Sequence, residues 1–414
     1  MNRYPLHGHP QQWNAKLSPT IFRLAKSFRL YKQRHQQRLL AVDVHGAENI
    51  HALINKKHGI LITPNHPGHA DAYCMNAAAD QVGKPFYYMT AWQVFAANHR
   101  IGRWMLQKHG CFSVDREGAD RVAFRCAVEI LRNKKHPLVV FPEGEVYHQN
   151  DRVTPFREGA AAMAITAAKK SDRPVVCIPC AIKYQYINDP TPALLQLMDQ
   201  LEEKILWRPR RNLNLRERIY RLAGGLIAMK EIEYLGSVQQ NESLTSRVHA
   251  LADHILQTLE SRYEIKSSHK DIHQNKTKEF ERITPQRIKT IRAAALTKLQ
   301  SIYDDESSMD HADEKEEITR DLDDVFLVVQ LFSYPGDYLH EDAPIERLAE
   351  TLDKFEEDVL GHSTATIRTD RKAIVQFGEP IPIQTADPAT QKQSASELTQ
   401  ILENAVQKML DEIK

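Results

Sequence analysis

The chain has 414 residues, of which 42% are hydrophobic and 26% charged, and its formal net charge is +1 at pH 7. This composition excludes collagen-like, disordered and disulfide-scaffold proteins. The length suggests two or three domains, and the near-neutral charge gives no sign of nucleic-acid binding. The charge is uneven, however, because residues 1–42 hold eight Lys or Arg and no Asp or Glu. The other 372 residues hold 47 cations against 54 carboxylates.

Residues 18–40 are predicted to form one basic amphipathic helix, which Ser18 caps and Pro19 begins. The pattern fits a helix packed on the main domain, and it also fits a helix lying on anionic lipid. The N-terminus is polar and no stretch approaches roughly 20 apolar residues, so we expect no signal peptide and no membrane-spanning helix. The residues expected on the apolar face are Ile21, Phe22, Ala25, Phe28 and Tyr31.

Between residues 41 and 186, apolar runs that end in turn residues alternate with helical patterns. This alternation predicts an α/β domain with a largely parallel sheet flanked by helices. The apolar runs cover 59–64, 137–142 and 174–179, and the helical patterns cover 118–133 and 158–170. In the last run Pro179 predicts a bulge or an edge strand, because proline cannot donate to a sheet.

All five cysteines lie between positions 74 and 180. Their odd number and their place in the expected core predict reduced thiols in a cytosol-like compartment. Cys177 and Cys180 have the spacing of a redox pair. A strand over this apolar run would place them on opposite faces, which favours a structural role in the core.

From about residue 190 to 365 the pattern changes to helices, with apolar stripes at 248–259 and 288–302. An arginine-rich block at 208–221 suits either an anion-binding patch or a solvated helix face. The carboxylate-rich segment 304–324 is predicted to be an exposed linker. A strand at 373–377 and a helix at about 394–413 then end the chain.

Residues that can carry chemistry follow the ends of the apolar runs, where α/β sheets bind ligands. His66 and Asp71 follow the run 59–64, and a carboxylate at this spacing can orient an imidazole that acts as a general base for a hydroxyl. His66, His69 and Asp71 are also metal-ligand types, so a metal-dependent hydrolase stays an alternative. Arg116 precedes a helical pattern and suits an anion, and Glu143 follows the run 137–142.

The order and spacing of these residues resemble the four-block pattern of the PlsC-type glycerolipid acyltransferases, the lysophosphatidate and glycerophosphate acyltransferases. The resemblance covers about 41–186 and about 370–414. No GxSxG or P-loop motif is present, which disfavours a serine hydrolase or P-loop kinase. The four blocks are His66–Asp71, Gly110–Arg116, Phe141–Gly144 and Ile178–Cys180.

The resemblance implies a role for each matching residue. His66 would deprotonate the acceptor hydroxyl, and Asp71 would orient His66. Arg116, Glu143 and Gly144 would bind the glycerol phosphate of the acceptor, and Arg157 would supply a second cation. Gly110 belongs to the second block, and Pro179 would line the acyl end of the site. Glu145 departs from the family pattern by adding a carboxylate near the expected phosphate, which predicts an unusual, amine-bearing head group.

Together these features predict an acyltransferase that uses acyl-CoA or acyl carrier protein as donor and a lysophospholipid, foremost 1-acylglycerol-3-phosphate, as acceptor. Glycerol-3-phosphate and amino lysolipids are the alternative acceptors. We expect no metal or nucleotide cofactor, no nucleic-acid partner, and a cytoplasmic, peripheral position on the inner face of a membrane. The expected segments are a basic helix (1–40), a domain in two parts (41–190 and 366–414), and a helical insertion of unknown role (191–365).

Overall fold

The structure is a computed structural model, which describes residues 11–116, 120–265, 277–304, 312–334, 336–383 and 394–413. The chain divides into two compact units. The sheet unit comprises residues 8–190 and 366–414, and the helical unit comprises residues 191–365.

The sheet unit contains one eight-stranded mixed sheet, and most of its strand pairs are parallel. The strand order is β1-β7-β6-β2-β5-β3-β4, with β8 paired to β6 beside β7. Among the described residues, only the pairs that β6 forms with β7 and β8 are antiparallel. The predicted α/β fold with a largely parallel sheet is therefore confirmed. The strands are β1 (Leu39–His45), β2 (Gly59–Pro64), β3 (Tyr87–Ala91), β4 (Cys111–Val114), β5 (Leu138–Val139), β6 (Val175–Tyr186), β7 (Arg371–Phe377) and β8 (Ile381–Pro382).

Helices cover both faces of this sheet and enclose two apolar cores. One core lies under α7, α8 and α15, and the other lies under α1, α3, α4 and α5. Alternate residues of β6 enter opposite cores, as a pleated strand requires. The helices of this unit are α1 (Pro19–Leu24), α2 (Lys26–Tyr31), α3 (Ala47–Asn55), α4 (Asp71–Val82), α5 (Trp92–Ala96), α6 (Arg100–Lys108), α7 (Arg121–Asn133), α8 (Gly159–Lys169) and α15 (Ala395–Glu412).

The prediction of a single helix over residues 18–40 is wrong. Ser18 does cap α1, but α1 and α2 are separate, a π-helical turn covers Lys32–Gln36, and β1 already begins at Leu39. The expected apolar face is also divided, since Phe22 is buried whereas Phe28 and Tyr31 are exposed.

A buried ion pair fixes these N-terminal helices to the sheet unit. The Arg29 guanidinium lies over the Phe22 ring and binds the Asp80 carboxylate on α4 at 2.8 Å. Gln33 is buried as well and donates to the carbonyl oxygen of Leu39. Residues 22, 29 and 33 therefore form the packed side, and one of them is a cation that the sequence pattern assigned to the polar side.

The helical unit consists of helices alone among the residues that the structure describes there. The predicted stripes at 248–259 and 288–302 are buried, as expected. Its helices are α9 (Thr191–Leu206), α10 (Leu215–Leu235), α11 (Leu244–Arg262), α12 (Thr277–Asp304), α13 (Ala312–Phe332) and α14 (Ile345–Leu360).

Two charge-based predictions for this unit need correction, the second of them at Arg218 alone. The segment 304–324 is not an exposed linker, because its part from Ala312 onward belongs to α13 and buries Ile318 and Leu322; residues 305–311 lie outside the described residues. In the arginine-rich block, Arg218 is fully buried and binds both Asp199 and Glu202, at 2.6 and 2.8 Å. This arginine is thus neither a solvated side chain nor an anion-binding one.

Within the described part of the chain, no helix is both long enough and apolar enough to cross a membrane.

Candidate active site

The loop that follows β2 carries His66 and leads to Asp71 at the start of α4, and a buried asparagine fixes this loop. β2 pairs with β6 only as far as Pro64, while β6 continues to Tyr186. Asn65 continues the ladder with its side chain, because its Nδ2 donates to the Ile182 carbonyl and its Oδ1 accepts the Ile182 N–H. The chain can therefore leave the sheet without losing these buried hydrogen bonds. His66 follows directly.

His66 and Asp71 form a hydrogen-bonded pair at the carboxyl end of β2. The His66 Nδ1 lies 2.6 Å from Asp71 Oδ2, and the same carboxylate oxygen accepts the Gly68 N–H at 3.2 Å. Asp71 is fully buried at the first position of α4, where the helix N-terminus favours a negative charge. The imidazole stacks on the Phe141 ring, with centroids 4.2 Å apart. With Nδ1 held by Asp71, Nε2 is the nitrogen that can take a proton.

Tyr184 extends this pair into a chain of three residues, and sequence reasoning did not identify it. Its buried hydroxyl donates to Asp71 Oδ1 at 2.6 Å. Burial, with the nearby Asp71 carboxylate as a second cause, raises the pKa of Tyr184 well above its ordinary value, so the phenol keeps its proton and acts as donor. The available signal was period-2 alternation, since Tyr184 continues the face of β6 that carries Cys180 and Ile182.

Glu143 lies beneath the His66 loop and is almost completely buried. Its Oε1 accepts the backbone N–H of His66 at 3.0 Å. Burial raises the pKa of Glu143 from 4.5 to about 8, although hydrogen bonds from His66 and Thr154 act in the opposite direction. In this structure Glu143 contacts the loop that presents His66, and its contact with an acceptor stays a prediction.

The two candidate cations meet at Gly144. Arg116 Nη1 donates to the Gly144 carbonyl oxygen at 2.6 Å, and Arg157 Nη1 lies 3.3 Å from the Arg116 carbonyl oxygen. Gly144 has a φ of +83°, and a Cβ there would lie 2.6 Å from the Arg157 guanidinium. A larger residue would thus strain this turn and displace Arg157.

Glu145 binds Arg116 directly. Their Oε2 and Nη1 atoms lie 2.8 Å apart, and about 14% of each side chain is exposed. The extra carboxylate noted in the sequence therefore offsets the charge of one of the two cations, whereas the Arg157 side chain is exposed. The net charge that this cluster offers to an anionic head group is smaller than the motif alone suggests.

The structure brings six of the eight predicted site residues to one edge of the sheet, and Gly110 and Pro179 are the exceptions. Gly110 precedes β4 at its amino end, whereas the site lies at the carboxyl ends of β2, β4 and β5. It has a φ of +90°, and a Cβ there would lie 2.5 Å from the Phe86 carbonyl oxygen. Its need for glycine is therefore explained by the backbone conformation.

Pro179 lies within β6, paired in register with Thr63 of β2. The expected bulge or edge is wrong, because β6 continues through Pro179 as an interior strand. The missing N–H falls between the stretches paired with β8 and β7, where the Gly378 N–H donates to the Pro179 carbonyl. The proline therefore costs the sheet little.

The structure favours a core role for the CxxC pair, as expected. Cys177 and Cys180 belong to the cores on opposite faces of the sheet, and burial raises the pKa of both thiols.

The metal alternative depended on His66, His69 and Asp71. Both Asp71 oxygens are used by hydrogen bonds to His66, Gly68 and Tyr184, and the His69 ring lies edge-on to His148.

Comparison with known proteins assigns this region of the chain. Residues 41–183 match the family model described as Acyltransferase. This segment is an acyltransferase domain. A glycerol-3-phosphate acyltransferase from Pseudoalteromonas atlantica is 26% identical over 204 residues, 45% of this chain and 24% of that protein. A 1-acyl-sn-glycerol-3-phosphate acyltransferase from Streptococcus pneumoniae is 28% identical over 116 residues, 28% of this chain and 40% of that protein. The chain thus spans less than half the length of either relative.

Proposed function

We propose that the protein transfers a fatty acyl group from acyl-CoA or acyl carrier protein to the free hydroxyl of a lysophospholipid in phospholipid biosynthesis. The observation that carries this proposal is the His66–Asp71 pair, joined at 2.6 Å within an acyltransferase domain. The foremost acceptor is 1-acylglycerol-3-phosphate, the compound in the name of the Streptococcus pneumoniae relative. The Pseudoalteromonas atlantica relative is named for glycerol-3-phosphate, which is the alternative acceptor.

The proposed reaction is a direct acyl transfer. His66 Nε2 takes the proton of the acceptor hydroxyl while the oxygen attacks the thioester carbonyl carbon. The Asp71 carboxylate stabilises the resulting imidazolium and fixes its orientation. The C–S bond then breaks, and the leaving thiolate takes up the proton. This sequence uses a base and an activated acyl donor, so it requires no metal or nucleotide cofactor.

Substitution of His66 tests the proposal. We expect His66→Ala to lower kcat by about 10²- to 10⁴-fold, because it removes the general base. His69→Ala is the matched control, since His69 is exposed and lies three residues away; it should retain the activity of the wild type. The assay combines acyl-CoA and acyl carrier protein donors with a panel of lysolipids. Undiminished transfer by His66→Ala would contradict the proposal.

The Arg116–Glu145 ion pair supports an amine-bearing lysolipid as a second candidate acceptor. A carboxylate that offsets Arg116 weakens an anion site and favours a cation beside it. We expect Glu145→Gln to raise kcat/KM for 1-acylglycerol-3-phosphate and to lower it for an amino lysolipid. Equal effects on both acceptors would exclude head-group selection by Glu145.

We further propose that the protein works as a peripheral protein on the cytoplasmic face of a membrane, where amphiphilic acceptors reside. Support comes from the cation-rich helices α1 and α2 and from the exposed side chains of Phe28 and Tyr31.

A further inference from the structure

The sheet unit exposes several large apolar side chains on two helical segments that are distant in sequence. On α1 and α2 the exposed fractions are 80% for Leu24, 55% for Phe28 and 57% for Tyr31. On α6 they are 68% for Ile101 and 45% for Trp104. Clustered apolar side chains of this size on a protein surface indicate a site where a binding partner or a membrane covers them.

Each set lies along one side of its own segment. Residues 24, 28 and 31 follow helical spacing opposite the packed residues 22, 29 and 33. Ile101 and Trp104 are three residues apart on α6, and the Lys108 ammonium lies 6.0 Å from the Trp104 ring. An aromatic side chain beside a lysine is typical of the interface between lipid and water.

The two segments are direct neighbours. The Lys16 N–H donates to the Gln107 carbonyl and the Ser18 N–H to the Lys108 carbonyl, at 2.9 and 3.0 Å. The Phe22 and His109 rings lie 5.6 Å apart. The end of α6 therefore adjoins the start of α1.

Neither segment contains an acidic residue. No Asp or Glu occurs before Asp43, and none occurs between Asp80 and Asp115. Arg29 binds Asp80, and Arg103 donates to the carbonyl oxygens of Phe95 and Asn98 at the end of α5. The other cations of the two segments are exposed or half-buried: Arg23, Lys26, Lys32, Arg34, Arg100 and Lys108.

We propose that α6 and the α1–α2 pair together form the surface that binds an anionic lipid bilayer, with Ile101 and Trp104 inserted beside Leu24 and Phe28. The apolar side chains of these segments can insert at the acyl boundary of such a bilayer, and the cations around them can bind its anionic head groups. The segments themselves contain no carboxylate that would oppose this attraction. This inference rests on the proposed membrane function and adds α6 as an equal contributor, which the basic sequence pattern of residues 18–40 did not indicate.

Vesicle binding by the full-length protein tests this surface. We expect co-sedimentation with vesicles of phosphatidylglycerol and phosphatidylcholine, and much weaker binding to phosphatidylcholine alone. The double variants I101Q/W104Q and L24Q/F28Q should each lower the partition coefficient about tenfold, since each removes two apolar insertions. The control V122Q/I401Q changes exposed apolar residues on α7 and α15 and should bind like the wild type. Wild-type binding by I101Q/W104Q would overturn the proposal.

Tryptophan emission gives an independent measurement. Anionic vesicles should shift the emission to shorter wavelength in the wild type and in W207F, but much less in W104F. Trp207 is 90% exposed beside Arg208 in the helical unit, so a shift lost only in W207F would place the contact there and refute the role of α6. Acyl transfer is assayed separately with short-chain, monomeric substrates. Loss of vesicle binding with retained transfer, or the reverse, separates this inference from the proposed reaction.

Discussion

Tyr184 orients the candidate catalytic pair from the opposite side of the Asp71 carboxylate. A buried hydroxyl that donates to a carboxylate at 2.6 Å fixes the position of both oxygens. Asp71 is in turn held by His66 and Gly68 through Oδ2, so both carboxylate oxygens have a defined partner. Tyr184 is therefore a positioning residue, which acts on His66 through Asp71.

We expect Tyr184→Phe to lower kcat about tenfold with little change in KM, because about 1.4 kcal/mol of positioning is lost without any contact to substrate. The matched control is Tyr88→Phe, which removes another buried hydroxyl that donates to Asn76, away from Asp71. Steady-state kinetics of both variants check this. A purely structural role would lower the amount of folded enzyme in both variants and leave kcat per folded molecule unchanged.

The raised pKa of Glu143 makes stability depend on pH. Between pH 4.5 and about 8 the folded protein keeps a proton that the unfolded chain releases, so stability falls as pH rises through this range. Each pH unit costs up to about 1.4 kcal/mol. We expect the thermal midpoint of the wild type to fall relative to that of Glu143→Gln from pH 5 to pH 8, because Gln can accept the His66 N–H without titrating. Parallel midpoint curves would contradict this.

At the scale of elements, apolar periodicity was reliable where a segment packs against one layer. The stripes of α11 and α12 are buried as predicted, and α7 and α8 correspond to the predicted helical patterns. The prediction of one helix for the N-terminal segment failed for a local reason. A break at Ala25 and the π-helical turn at Lys32–Gln36 interrupt the helix, so the segment is not the single regular helix that the pattern predicted.

Charge patterns were unreliable because ion pairs form between helices. Asp321 of α13 is buried and binds Arg262 and Tyr263 of the α11 region. Arg287 likewise binds Glu260 at 2.7 Å with little exposure. A single segment does not reveal such partners, so a run of carboxylates resembled a solvated linker although Ile318, Leu322 and Val325 mark a buried helix face.

At the scale of the whole molecule, the sequence predicted the sheet class and the residues that gather at its edge, because strand ends define that edge. Apart from the contact between Asp71 and His66, it did not predict what these residues contact. Glu143 is buried under the loop, Gly110 lies at the other end of β4, and Tyr184 joins the site from β6. These facts depend on the strand order and on the length of β6, both of which arise from pairing between distant segments.

The chain leaves the sheet unit after residue 190 and re-enters it at residue 366, and the strand ends on either side of this segment are adjacent. Tyr186 of β6 and Arg371 of β7 are paired in register, and the Ile187 N–H donates to the Asp370 carbonyl at 2.9 Å. Two antiparallel strands with such ends need only a short loop to connect them.

We therefore expect the sheet unit to fold when residues 191–365 are replaced by a Gly/Ser loop of about five residues. The shortened protein should unfold in one cooperative transition by circular dichroism, because both apolar cores of the sheet consist of residues that it keeps. The substitution Val375→Ala, at a fully buried position of β7, should lower the free energy of unfolding by about 1–3 kcal/mol in the shortened and the full-length protein alike. A shortened chain without a cooperative transition would show that the sheet unit depends on the helical unit for its fold.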